Sequence, residues 1–174
     1  MRRLVVLICA CALLGTGCKR RQHPNPAATI EEEAELSSSI SVAEPKDATQ
    51  LLSGFHAVEG DAWRWSMKKF AVSLAPPANA AQNGATLVLN FALPDAVAAK
   101  LLGVSITPTV AGQKVPSCKV TKAGEQACQF AVPAAALKAD AVVVEFELDK
   151  AVEPGDGDSR QLGLVVSRIG FAAK

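Results

Sequence analysis

Trp63 and Trp65, two residues apart, are the only tryptophans in a 174-residue chain that has no tyrosine. An exposed indole is a flat apolar platform on which a sugar ring can stack, and its N–H offers one donor. Glu59 and Arg64 stand close by in sequence and add a carboxylate and a guanidinium suited to hydroxyl groups. Residues two apart on a strand share a face, so both indoles point one way and Arg64 the other. Trp63, Trp65, Arg64 and Glu59 are therefore the candidate carbohydrate-binding set. The same two tryptophans also read as core packing, and Trp65 inside with Trp63 at the rim reconciles the readings.

Other reactive side chains are sparse. Glu153, Asp156 and Asp158 offer oxygen ligands in one loop, but their spacing lacks the glycine and final glutamate of an EF-hand loop. Asp158 and Arg160 read better as a side-chain turn with a salt bridge that fixes the approach to the last strand. His23 and His56 have no nucleophile partner, and there is no Gly-x-Ser-x-Gly, no His-Glu-x-x-His and no phosphate-cradling glycine loop. No catalytic residues, metal or cofactor are expected, and the chain reads as a non-enzyme.

The elements that must position these residues show a period of two, the mark of a half-buried strand. Leu87, Leu89, Phe91 and Leu93 alternate with Thr86, Val88, Asn90 and Ala92, and Val142, Val144, Phe146 and Leu148 alternate with Val143, Glu145, Glu147 and Asp149. Further strands are expected at 55–58, 62–66, 70–74, 104–110, 115–121, 125–132 and 162–171. Leu164 and Val166 share one parity while Ile169 and Phe171 share the other, which predicts a bulge at Ser167 and Arg168. Short helical turns are expected at 95–102 and 133–138. The fold class is all-β: an antiparallel β-sandwich of jelly-roll kind.

Cys118 and Cys128 are expected to form a disulfide. If Lys122, Ala123 and Gly124 make a three-residue hairpin loop, Thr121 faces Glu125 and Cys118 falls across from Cys128. Such a pair oxidises outside the cytoplasm.

Gly54-Phe55-His56 with Glu59, then Trp63-Arg64-Trp65-Ser66, and finally Pro154-Gly155-Asp156 with Asp158-Ser159-Arg160-Gln161-Leu162-Gly163 resemble the motifs of an uncharacterised bacterial β-sandwich module. That module occurs in envelope lipoproteins and is also appended to glycosyltransferase-type proteins. Ser66 stands where it usually has Thr and Gln161 where it has Glu. The resemblance spans residues 51–171 and implies the sandwich fold; it implies no activity.

The N-terminus gives an address. Arg2 and Arg3, an apolar run over 4–14 and Gly15-Thr16-Gly17-Cys18 make an export signal, too short for a comfortable membrane span. The last four residues resemble a lipobox, although Gly15 stands where leucine is preferred. The resemblance implies cleavage after residue 17 and acylation, palmitate included, of Cys18, enough to hold the protein at a bilayer. Lys19 next to that cysteine resembles lipoproteins of the outer membrane in an organism that has one. The expected organisation is a signal peptide at 1–17, a lipid-anchored disordered linker at 18–49 and a β-sandwich at 50–174, extracytoplasmic in the cell envelope.

Removing the signal takes Arg2 and Arg3 from a chain with 18 basic and 17 acidic residues, so the mature domain is near neutral. Nucleic acid, which is bound through a basic surface, is therefore not an expected partner. The expected partners are the membrane, through lipid, and a polysaccharide or another envelope protein.

Overall fold

The structure is a computed structural model that describes residues 36–155 and 157–174. The expected signal peptide, Cys18, the linker up to residue 35 and Asp156 lie outside the described residues. Ten strands form: β1 (Ser39–Ser41), β2 (Leu51–Glu59), β3 (Trp63–Leu74), β4 (Ala85–Leu93), β5 (Ser105–Val110), β6 (Gln113–Lys114), β7 (Cys118–Lys119), β8 (Gly124–Val132), β9 (Val142–Leu148) and β10 (Val165–Ala173). Alternation does in β4 and β9 what it predicts, because every second residue, from Ala85 to Leu93 and from Val142 to Leu148, is buried. The helices are α1 (Ala80–Asn83) and α2 (Asp95–Leu101), with 3-10 helix at Pro45–Gln50 and a single 3-10 turn at Ala134–Ala136.

All pairings are antiparallel, and the continuous path runs β6-β5-β9-β3-β10-β4-β8. The path folds over itself into a sandwich through β3, which was expected as two strands and is one of 12 residues. Its later part, Lys69 to Leu74, pairs with β9, whereas Arg64 and Trp65 pair with β10. One strand thus serves both layers, a corner common to sandwiches whose strands change sheet. The fold-over brings Phe130 of β8 within 6.3 Å of Phe146 of β9, although three strands separate β8 from β9 along the path. Phe146 stacks on Phe70 at 4.8 Å, and Phe55 meets Phe70 edge-on at 5.4 Å, so four phenylalanines thread the core. Each buried ring contributes about 1.5–3 kcal/mol of transfer free energy.

Two expectations are corrected. The stretch 36–49 is not linker: β1 pairs with β10 in the register Ser39↔Gly170 to Ser41↔Arg168, and Ile40 and Val42 are fully buried. Its polar composition misled because Asp47 within it is buried and satisfied, as is Gln50 just after it. Asp47 accepts from Ser41 N at 2.9 Å, and Gln50 bonds Ser37 N, Ser37 O and Ser73 O.

The disulfide between Cys118 and Cys128 forms, with Cα atoms 6.1 Å apart, but not across a hairpin. Gly124 has the expected positive φ of 81°, yet β7 pairs with β5 and β8 pairs with β4. A ladder of nine residue pairs along β4 outcompetes the short hairpin, so the chain crosses between layers from β7 to β8. The bridge therefore links β8, at one end of the strand path, to β7 beside β5 near the other.

Because the bridge closes a short loop of sequence separation 10, replacing both cysteines with alanine is expected to lower stability by about 2–3 kcal/mol on the chain-entropy account. Urea unfolding of the double variant checks this. An unchanged midpoint would mean that the layers hold together without it.

Candidate functional site

The turn between β2 and β3 decides where Trp63 goes. Gly60 and Asp61 both have positive φ, 56° and 52°, and reverse the chain tightly. The indole of Trp63 lies over Gly60, where an added Cβ would sit 2.6 Å from the ring carbon Cη2, so only glycine accommodates both the backbone and the ring. Trp63 is 37% exposed, while Trp65 is half-buried against the core. Further along β3 the positions that enter the core are Ser66, Phe70, Val72 and Leu74, on the parity of Arg64 and opposite to the tryptophans.

Arg64 and Glu59 do not join Trp63 at a common surface. Arg64 Nε donates to Val42 O at 2.7 Å and Nη1 to His56 O at 3.0 Å, which ties β1 to the β2–β3 hairpin. Glu59 accepts from Arg160 Nη1 at 2.6 Å. Both side chains are committed to structural bonds, and their assignment as ligand-binding residues is corrected on that ground.

The remaining motif residues meet in one clasp. Asp158 Oδ1 accepts from Arg160 N at 2.9 Å and from Arg160 Nε at 3.0 Å, while Oδ2 takes Nη2 at 2.8 Å. The expected turn and salt bridge at Asp158 and Arg160 are thus present. Arg160 reaches on to Glu59, and the Nε2–H of His56 donates to Gln161 O at 2.8 Å. Gln161 in turn accepts from Lys68 N and donates to Glu153. Ser66, fully buried, bonds Gly163 N through its carbonyl and Leu164 O through its N–H, and accepts from Leu164 N through Oγ. A Cβ on Gly163 would lie 2.6 Å from Ser66 Oγ, which requires glycine there. No group of three or more potential metal ligands occurs among the described residues.

What the clasp positions is a surface depression of about 580 Å³ beside the start of β10. Trp63 stands on its wall, with Asn90 from β4, Glu125 and Gln126 from β8, and Ser167 and Arg168 from β10. The expected bulge lies here, since the β10–β4 register shifts between Val166 and Arg168. It turns Ser167 and Arg168 both to solvent, while Val166 and Ile169 on either side are fully buried. Ser167 Oγ donates to Asn90 O at 3.4 Å, and Gln126 Nε2 donates to Lys122 O at 2.7 Å. The slip of alternation at 167–168 was the sequence signal for this surface. Nothing in the sequence linked it to an indole 100 residues earlier.

No known family model matches the sequence, and no curated protein does. Among solved structures the chain is similar to a family 35 carbohydrate binding module from an environmental isolate, at TM-score 0.41 and 15% identity, over 83% of this chain and 90% of that one. A likeness that distant carries no argument about the site.

Asp158 generates a pH dependence. The Arg160 side chain, and then its backbone N–H, hold the Asp158 carboxyl at about 2, below its ordinary 3.8, and the same contacts with Asp158 and Glu59 push Arg160 upward. A depressed carboxylate stabilises the fold at pH above 3.8, and that contribution is lost as pH falls from 3.8 through about 2. The Arg160 amide resonance is expected to titrate with a midpoint near 2 and to lose that step in Asp158→Asn. A midpoint at 3.8 would show that the clasp is open in solution.

Proposed function

We propose that the domain binds glycan at the Trp63 depression and belongs to a lipoprotein of the bacterial cell envelope. One observation supports the binding reading: a large indole, 37% exposed, is seated on a glycine turn beside a concavity lined with amide, hydroxyl and charged groups. Indole faces contribute mainly through apolar contact with ring C–H groups, and flanking polar side chains orient the hydroxyls. The site residues under this reading are Trp63, Asn90, Glu125, Gln126, Ser167 and Arg168, with Trp65 as half-buried support.

The envelope reading rests on the basic, apolar and small-residue order of 1–17 and on Cys18.

Protein docking through an apolar patch finds less support. The exposed large apolar residues other than Trp63, namely Leu52, Met67, Leu102 and Val143, lie on different elements: Val143 on β9 pairs with Ser73, six residues along β3 from Met67, and Leu102 follows α2. β2, on the flank of β3, is broken by three register shifts, a device that blunts an edge against pairing.

Replacing Trp63 with alanine is expected to weaken retention on a bound polysaccharide at least about tenfold, or 1.4 kcal/mol, with little change in melting temperature. Retention equal to that of the parent protein would end the binding reading. Separately, Cys18→Ser is expected to move the protein from the membrane fraction to the soluble extracytoplasmic fraction. Unchanged partition would end the lipid-anchor reading.

A further inference from the structure

Three arginines lie among the described residues, and two of them are consumed by the fold. Arg64 binds backbone carbonyls and Arg160 binds two carboxylates. Arg168 is exposed and makes no ion pair or side-chain hydrogen bond among the described residues. It reaches the surface through a bulge, which interrupts the β10–β4 ladder and re-aims a side chain that regular alternation would bury. The side chain so presented lines the same depression as the Trp63 indole.

A guanidinium is a permanent charge with donors in a planar fork, matched to the two oxygens of a carboxylate. Opposite charge is present too. Glu125 pairs in register with Ala92 and Arg168 with Asn90, so the two are offset by a two-residue step, about 7 Å along β4. They do not neutralise each other, and the depression has a positive and a negative side with the neutral amides of Asn90 and Gln126 as further polar groups. A sugar unit carrying several anionic groups would place one of them against Glu125. A sugar carrying a single carboxylate fits both sides, with the acid toward Arg168 and a hydroxyl toward Glu125.

Resting on the glycan reading above, we propose that the depression selects a carboxylated sugar unit, with Arg168 holding the acid and Trp63 stacking on the ring. The test measures affinity of the detergent-solubilised full-length protein, and of its Arg168→Gln and Trp63→Ala variants, for four polymers. These are a polyuronate, the same polymer after chemical reduction of its carboxyls to alcohols, a neutral glucan and a phosphate-bearing polysaccharide.

The parent protein is expected to bind the polyuronate at least about tenfold more tightly than its reduced form, with the ratio falling as salt is raised. Arg168→Gln should bring that ratio to about one by weakening the polyuronate far more than the reduced polymer, whereas Trp63→Ala should weaken both. Equal affinity for the polyuronate and its reduced form overturns the acid selectivity and leaves glycan binding standing. Tightest binding of the phosphate polymer, lost in Arg168→Gln, overturns the choice of carboxylate. Absence of binding to all four overturns this inference together with the reading on which it rests.

Discussion

Ser66 is the point at which the molecule is tied. It is fully buried, and its N–H, its carbonyl and its hydroxyl are each engaged by Gly163 or Leu164. A buried polar group left without a partner would cost about 1–3 kcal/mol, so the two segments, almost 100 residues apart in sequence, are held in one register. That register determines the rest. It lays the first residues of β3 along the start of β10, makes β3 common to both layers and sets Trp63 beside the bulge. The absence of a side chain at Gly163 is the condition for this approach, since any Cβ would collide with Ser66.

The same knot explains why the most distinctive sequence motifs are poor guides to a ligand. Glu59, Arg64, Asp158, Arg160, Gln161 and Gly163 look reactive because they are charged, amide-bearing or conformationally special. In the fold they satisfy one another or the backbone. The two hydrogen bonds that hold Arg64 to carbonyls leave its parity facing inward with Ser66 and Phe70. Of the residues around the indole, Ser167 and Arg168 are marked in the sequence by the slip of alternation, whereas Asn90, Glu125 and Gln126 are ordinary strand residues that carry no mark in one dimension.

Much of the architecture was legible because β4, β8 and β9 have one wet face and one dry face, and period two reports that difference directly. The bulge was legible for the same reason, as a change of parity between Val166 and Ile169. Pairing was less legible. Cys118 and Cys128 are joined, but local turn chemistry suggested a hairpin where a nine-pair ladder to β4 prevails. Asp47 and Gln50 misled more thoroughly, because a buried polar residue with all its bonds made looks, in sequence, like one that belongs in water.

The first strand has a mechanical meaning. β1 runs antiparallel to β10, and its preceding residue Ser38 accepts from Phe171 N, while Val42 at the far side donates to Ser167 O. A pull transmitted through the N-terminal side of this strand, against a load gripped near Trp63, acts along the strand axis and at right angles to those bonds. They then bear load together rather than parting one by one as in a zipper. Shear of that kind resists rupture, so β1 would hold fast under a force applied along it.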